Sequence, residues 1–262
     1  MIREALVKSS ERALHRVEMT PIRFALLVVL LLCCASFARA HDLITADSAE
    51  RYLSEAQQRL DTVRSRQPAS QRADAATRLG RMLDEIRDLL NRDLEAHGRL
   101  QGLSTEYLVR EFKTKGLPFE ISPALGRFPA NVTWYREALR LSPDGPHVAD
   151  ASFSWLQGEF YDSFDADPLR PRQHTWAGLQ EQIALGERTV KLVFAPPESE
   201  EAKFILAVLY TRAVRLAPDR KTGEQYADRA RTSIAEFQTR YPESLRVAAL
   251  PILLQNLDRP RR

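Results

Sequence analysis

The sequence predicts an all-α fold, in which an N-terminal antiparallel helical pair is followed by an α-solenoid of two to three helical hairpins. Beyond residue 41, apolar side chains recur at spacings of three and four over most of the chain, which is the period of an amphipathic helix. Alternating patterns typical of strands are few. Prolines and glycines interrupt the apolar periods at intervals and mark the helix ends.

Residues 1–40 predict a secretory signal peptide. An apolar run from Phe24 to Ala35 is followed by Ala38-Arg39-Ala40, the small residues that signal peptidase requires, so we expect cleavage after Ala40. The run is short for a transmembrane helix, which needs about 20 apolar residues. Met19 would make a more ordinary start than Met1, and we expect the chain to begin there.

Lipid attachment at Cys34 is the alternative for this segment. Bacterial lipoproteins carry a diacylglyceryl group on a cysteine at the end of such a run, but their peptidase needs a small residue just before it. Cys33 and Leu32 precede Cys34 instead, which favours the secretory signal. A short Arg-containing signal without an anchor predicts export to a bacterial periplasm.

Removal of the signal changes the charge and the chemistry of the chain. The full chain has 38 Lys and Arg against 35 Asp and Glu, and residues 1–40 hold six of the basic and three of the acidic side chains. The mature chain is therefore formally neutral, which removes the electrostatic signature of a nucleic-acid partner. Both cysteines leave with the signal, which excludes disulfides, thiolate metal sites and cysteine nucleophiles.

Residues 41–115 predict the antiparallel helical pair. The apolar positions of its first helix are Ala49, Tyr52, Leu53, Ala56, Leu60 and Val63. Those of its second helix are Ala73, Ala76, Leu79, Leu83, Ile86, Leu90 and Leu94. Pro68 ends the first helix, and we expect Ser70 to cap the second. Residues 116–130 contain three prolines and two glycines and predict an extended loop at a domain boundary.

Residues 131–257 carry a more specific pattern. In "WYREALRLSPDG", Tyr135, Ala138 and Pro143 follow one another at intervals of three and five. "ARTSIAEFQTRYPES" places Ala230, Ile234, Phe237 and Pro242 at intervals of four, three and five. Both stretches resemble the closing helix of a tetratricopeptide repeat (TPR), in which a small residue lets two helices approach closely and a proline ends the helix.

Two further stretches resemble the opening helix of such a repeat. "WLQGEFY" offers Gly158 and Tyr161, and "LAVLY" offers Ala207 and Tyr210, at the spacing of the small contact residue and the aromatic. The interval from Ala207 to Ala230, the small residue of the following closing helix, is longer than in the family, which requires either an insertion or longer helices. Residues 258–262 form a basic tail.

The TPR resemblance implies a scaffold or adaptor that binds another polypeptide, expected to be an envelope protein, without a cofactor or a metal of its own. The oligomeric state stays open. Candidate partner-binding residues on the opening helices are Gln157, Glu159, Tyr161, Lys203 and Tyr210. The two tyrosines equally suit packing between helices.

A cell-wall or glycan-active hydrolase or lyase is the alternative from another class. The stretch 153–176 is rich in aromatic and acidic residues, with acids at Glu159, Asp162, Asp165 and Asp167 and a histidine at His174. Paired carboxylates suit glycoside cleavage. They equally suit a helix end followed by a solvated turn, and no hydrolase motif accompanies them, so no catalytic residue is assigned.

The predicted mature N-terminus supplies one candidate metal ligand. Cleavage after Ala40 would make His41 the mature N-terminus, and an N-terminal histidine can chelate copper through its amine and ring nitrogen. A second histidine would be needed nearby, and the candidates are His97, His147 and His174. Spacing does not favour any of them, so no metal is predicted.

Overall fold

In a computed structural model of the protein, the structure is described for residues 44–258, apart from positions 101, 118, 124, 165–174 and 194. Residues from Ile44 onward form one compact unit. The predicted signal peptide, His41 and most of the basic tail lie outside the described residues, as do Asp165, Asp167 and His174.

The described part of the chain contains nine α-helices and no strand, which confirms the all-α fold. The helices are α1 (Ala46–Arg64), α2 (Ala69–His97), α3 (Leu103–Thr114), α4 (Thr133–Leu141), α5 (Val148–Phe164), α6 (Trp176–Leu192), α7 (Glu198–Leu216), α8 (Arg220–Arg240) and α9 (Leu250–Leu257). A 3-10 turn, Leu245–Ala249, precedes α9.

The helices pack in a zigzag. Helices α2, α5, α7 and α9 form a front row in which each helix contacts the next. Helices α4, α6 and α8 form a back row, and each lies against two consecutive front-row helices. Helix α1 packs on α2, and α3 packs on α1. This arrangement buries a core between the rows along their whole length.

Small residues lie where the helices cross. Ala138, Ala207 and Ala230 are each fully buried. Gly158 on α5 faces residues just before α4, and a Cβ there would come within 2.8 Å of the Cβ of Ala130. Small side chains at these positions allow the backbones to approach closely, as ridges-into-grooves packing requires.

An equally close contact joins α2 to α4. The ring of Tyr135 covers Gly80, and a Cβ at Gly80 would lie 2.8 Å from two atoms of that ring. Tyr135 is only 1% exposed. The contact joins helices that precede and follow α3 and the proline-rich loop. The chain therefore leaves the α2–α4 pair at the end of α2 and returns to it at the start of α4.

Three details differ from expectation or resolve an alternative. Helix α2 begins at Ala69 with Pro68 before it, so the prediction of a Ser70 cap is wrong. Residues 103–114 form the separate helix α3. The long interval after Ala207 reflects long helices, since α7 has 19 residues, α8 has 21, and only residues 217–219 join them.

Candidate functional site

A strip of polar side chains crosses the front row of helices from α2 to the 3-10 turn. It consists of two groups of interacting side chains. In the first group, acidic and basic residues of α2, α5 and the loop before α4 alternate, and the second group joins α5 to α7 and the 3-10 turn. Members of both groups line one cavity. We call the two groups together the polar strip. Its members are Asp84, Arg87, Arg127, Gln157, Tyr161, Asp162, Glu200, Glu201 and Arg246.

The strip begins at a carboxylate that is largely buried. Asp84 accepts a hydrogen bond of 2.6 Å from the hydroxyl of Tyr135 and one of 2.8 Å from Arg87. Burial raises the pKa of Asp84, and Arg87 and Tyr135 oppose that shift. Burial also disfavours the charge of Arg87, but Asp84 and Asp88 outweigh it and raise the pKa of the guanidinium. This end of the strip is a fixed pair of opposite charges.

Beside this pair, Asn91 on α2 and the strip residue Asp162 on α5 hold a segment of the chain itself. The side chain of Asn91 donates to the carbonyl of Phe128 at 3.0 Å and accepts from its N–H at 2.8 Å. Two residues on, the N–H of Ala130 donates to Asp162 at 2.7 Å. Gly158 leaves room for the side chain of Ala130. Helices α2 and α5 thus bind a non-helical backbone through its amide groups.

A cavity of about 260 Å³ lies beside this segment. Its polar lining includes Arg87, Asp88, Arg127, Gln157 and Tyr161. Arg127 lies 3.5 Å from Asp162, so both charge signs face the cavity in pairs. Such a surface offers donors and acceptors together, which suits a peptide group or a polar side chain better than an apolar ligand.

Glu201 on α7 links α5 to the 3-10 turn. Its Oε1 accepts from the amide of Gln157 at 3.0 Å and from the hydroxyl of Tyr161 at 2.9 Å. Its Oε2 lies 3.4 Å from Arg246. Burial raises the pKa of Tyr161, and its hydrogen bond to Glu201 adds to the shift. The phenol therefore stays a donor well above neutral pH.

The far end of the strip is fixed by the segment "RYPES", residues 240–244. The hydroxyls of Tyr241 and Ser199 are 3.0 Å apart. Ser244 donates to Glu200 at 2.6 Å and also caps the 3-10 turn. Arg246 lies 3.1 Å from Glu200. These contacts hold the 3-10 turn against the first turn of α7.

Two of the predicted partner-binding residues come together in the strip. Gln157 and Tyr161 share one oxygen of Glu201, and 39% of Tyr161 is exposed. Glu159 instead faces α4, where it forms an ion pair with Arg136.

The other two predicted residues lie on α7. Tyr210 is 8% exposed, and its hydroxyl donates to Glu187 on α6 at 2.8 Å. This tyrosine contributes to packing within the back of the array. Lys203 is half-buried. Tyr210 thus bonds to Glu187, whereas Gln157 and Tyr161 bond to Glu201, so the predicted set divides between different contacts.

Sequence reasoning missed Asn91, Glu201 and Arg246. One signal was present for Asn91, which interrupts the apolar period of α2 at a buried position, where an amide needs partners. The other two are ordinary charged residues in helix-forming stretches. Their role depends on which helices become neighbours, and no local pattern encodes that.

The acidic residues of the enzyme alternative are engaged in structural contacts where they are described. Glu159 pairs with Arg136, and Asp162 accepts from the N–H of Ala130. The remaining members, Asp165, Asp167 and His174, lie outside the described residues.

Among the residues with described positions, no group of three or more His, Cys, Asp or Glu side chains could hold a metal ion. His97 lies 3.0 Å from the carboxylate of Asp93, and His147 lies 2.9 Å from the carbonyl of Ser142. In the same part of the chain, no helix combines the length and the apolar character needed to cross a bilayer.

Comparisons with known protein families, with curated proteins and with solved structures found no match.

Proposed function

We propose that this chain is an exported, TPR-like repeat protein that acts as a scaffold or adaptor in the bacterial envelope. In this proposal it binds an extended segment of another polypeptide along the polar strip. The sequence of residues 1–40 supports export. The zigzag of helices, with small residues at its crossings, supports a repeat architecture.

One observation carries the binding part of the proposal, namely the way α2 and α5 hold residues 128–130. Asn91 pairs with both backbone groups of Phe128, and Asp162 accepts from the N–H of Ala130. In a β-sheet, a neighbouring strand likewise forms hydrogen bonds to both the N–H and the carbonyl of one residue. A surface that already satisfies one irregular backbone is suited to satisfy another, because main-chain hydrogen bonds do not depend on the bound sequence.

The polar strip extends past residues 128–130, the segment already held, to the contact between α5 and α7. There Gln157 and Tyr161 donate to Glu201, and Tyr161 remains partly exposed. These side chains can exchange their mutual hydrogen bonds for bonds to a guest backbone at small net cost. The alternation of charge favours a partner segment with polar residues of both signs.

Site-specific photo-crosslinking in the envelope tests this proposal. A photoreactive phenylalanine analogue replaces Tyr161 in one strain and Tyr107 in another. The two tyrosines are equally exposed, at 39%, but Tyr107 lies on α3 and away from the strip. We expect a discrete adduct with one envelope protein from position 161 and none from position 107.

A second change checks that the adduct reports the strip. Glu201→Ala should weaken the adduct from position 161, because Gln157 and Tyr161 lose the acceptor that positions them. Identical adducts from both positions, or an adduct that Glu201→Ala leaves unchanged, would contradict binding along the strip. The mass of the purified protein tests export separately, and we expect an N-terminus at His41.

A further inference from the structure

A second groove lies between the corner that joins α1 to α2 and the helix α4. Its volume is about 510 Å³, within the range of small-molecule sites. It shares no lining residue with the cavity of the polar strip. We call it the arginine groove. Its charged and aromatic lining residues are Arg64, Arg72, Arg136, Arg140, Glu137 and Trp134.

Two guanidinium groups of the groove are already neutralised. Arg140 donates two hydrogen bonds of 2.7 Å to Glu137. Arg136 forms an ion pair with Glu159 on α5. The hydrogen bonds from Arg140 lower the pKa of Glu137, and the charge of Arg72 lowers it further, so Glu137 stays ionised across the physiological range. These pairs define the walls of the groove and leave its charge to the other two arginines.

The remaining two arginines carry the net charge of the groove. Within the described ranges, no carboxylate lies within 4.0 Å of the guanidinium of Arg64 or Arg72. Arg72 is held in place, because its Nε donates to the carbonyl of Val63 at 2.8 Å. A guanidinium that is already ordered loses less entropy when it binds a ligand. Arg64, in the last turn of α1, is exposed.

An indole forms part of the same lining. Trp134 is half-buried, and its Nε1–H is buried without a hydrogen-bond acceptor among the described residues. The ring offers an apolar surface next to the charged groups. This combination suits a ligand that joins an anion to a planar or apolar substituent.

We propose that the arginine groove binds a phosphomonoester with an apolar or aromatic substituent. The four arginines of the groove face two carboxylates, Glu137 and Glu159, which leaves an excess of two positive charges. This excess matches the charge of a phosphomonoester, about −1.5 to −2 at neutral pH, better than that of a carboxylate. Planar guanidinium groups also bind phosphate oxygens in pairs. The inference does not depend on the polar strip or on its partner.

Calorimetric titration of the purified protein with phenyl phosphate tests the site. Phenyl sulfate carries the same ring with a single negative charge and serves as the matched probe. Because the second charge adds an ion pair, we expect phenyl phosphate to bind about tenfold more tightly. Equal affinity for both probes, or no binding of phenyl phosphate, overturns the proposal.

Matched arginine variants locate the binding. The double change Arg64→Gln with Arg72→Gln should weaken phenyl phosphate binding by about tenfold or more. Arg78→Gln removes the same charge from α2 at an exposed pair with Asp74 and should leave the affinity unchanged. An equal loss in both proteins overturns the assignment to the groove.

Two further measurements test the site if the double variant folds poorly. The exposed Arg64→Gln change alone should weaken binding about threefold, since it removes one of two charges. In a nitrogen-resolved spectrum, the indole resonance of Trp134 should shift with phenyl phosphate more than those of Trp155 and Trp176. An unmoved Trp134 resonance counts against the groove.

Vesicles distinguish the source of the phosphate. Phosphatidic acid presents a phosphomonoester headgroup, whereas phosphatidylcholine does not. Binding to phosphatidic acid vesicles that the double variant loses identifies a lipid headgroup, and binding of phenyl phosphate alone identifies a soluble ester. Vesicle binding that survives in the double variant, without any binding of phenyl phosphate, overturns the proposal.

Discussion

The hydroxyl of Tyr135, on α4, lies 2.6 Å from Oδ2 of Asp84, on α2, and donates a hydrogen bond to it. The two residues are 51 positions apart in the chain, and α3 and the proline-rich loop lie between them. The bond joins the back row to the polar strip. It also gives a buried carboxylate one of the partners that burial requires.

This bond predicts a loss of stability at high pH. Burial raises the pKa of Tyr135 above its ordinary value of 10.0, and the charge of Asp84 raises it further. Above pH 10 the unfolded chain releases this proton and the folded chain keeps it, so the free energy of unfolding falls as pH rises. One such tyrosine contributes a slope of about 1.4 kcal/mol per pH unit.

Urea unfolding of Tyr135→Phe between pH 9 and pH 11.5 measures that slope. We expect a shallower fall in the free energy of unfolding than in the unsubstituted protein, by about 1.4 kcal/mol per pH unit above pH 10. Tyr107→Phe, at an exposed position, serves as the control and should leave the slope unchanged. Parallel curves for all three proteins would show that Tyr135 ionises normally in the fold.

Gly80→Ala should destabilise the fold through the same aromatic ring. The added Cβ would lie 2.8 Å from two ring atoms of Tyr135, which is fully packed and cannot move without displacing Asp84. We expect a loss of about 1–3 kcal/mol in the free energy of unfolding, despite the better helix propensity of alanine. Thermal and urea unfolding measure it.

Gly178→Ala is the matched helical control. Its Cβ would meet only the side-chain oxygen of Thr175, at 3.3 Å. This change should be neutral or slightly stabilising, because alanine favours the helix. If both glycine variants unfold alike, the close approach of α2 and α4 is not what Gly80 provides.

Asn91→Ala should release the segment bound between α2 and α5. The change removes both hydrogen bonds to Phe128, and the segment keeps the contact from Ala130 to Asp162, the ion pair of Arg127 with Asp162 and the packing of the Phe128 ring. We expect trypsin to cut after Arg127 about tenfold faster or more, since a local opening free energy lowered by about 1.4 kcal/mol raises the open population tenfold.

The control for this experiment is Asn256→Ala. Asn256 accepts one exposed hydrogen bond from Arg215 and lies at the other end of the front row. Its removal should leave cleavage after Arg127 at the original rate. An unchanged rate in Asn91→Ala would mean that other contacts hold the segment.

Arg246→Gln should loosen the C-terminal end of the strip. The guanidinium lies 3.1 Å from Glu200, 3.4 Å from Glu201 and over the ring of Phe204. The side chain is 31% exposed, so solvent screens the pairs, and we expect a loss of about 1 kcal/mol in the free energy of unfolding. Arg220→Gln breaks a fully exposed pair with Glu224 and should cause no measurable change.

Local periodicity predicted the first helices well. The apolar positions expected to share one side of the first helix include Ala49, Leu53, Ala56, Leu60 and Val63, and all of these are buried. An apolar period is a property of a short stretch, and burial follows from it wherever that stretch becomes a helix. The sequence pattern did not indicate helix α3, because this helix is short and only three of its residues are buried.

The candidate site was predicted only in part. Gln157 and Tyr161 are four residues apart, so any helix through them places both on one face. Glu201 and Arg246 reach them from two other elements. Their meeting depends on the order of helices in the front row, which is set by long-range packing and leaves no mark in the nearby sequence.

The segment that Asn91 and Asp162 hold is tethered at both ends, to α3 and to α4. A tethered guest has an effective concentration on the order of millimolar at its own site. A free peptide that competes for the same backbone contacts must therefore have a dissociation constant far below its own concentration, or bind outside the part of the strip that this segment occupies. If the proposed binding along the polar strip is right, this competition makes it selective, because only a partner with additional contacts outside the occupied part would bind.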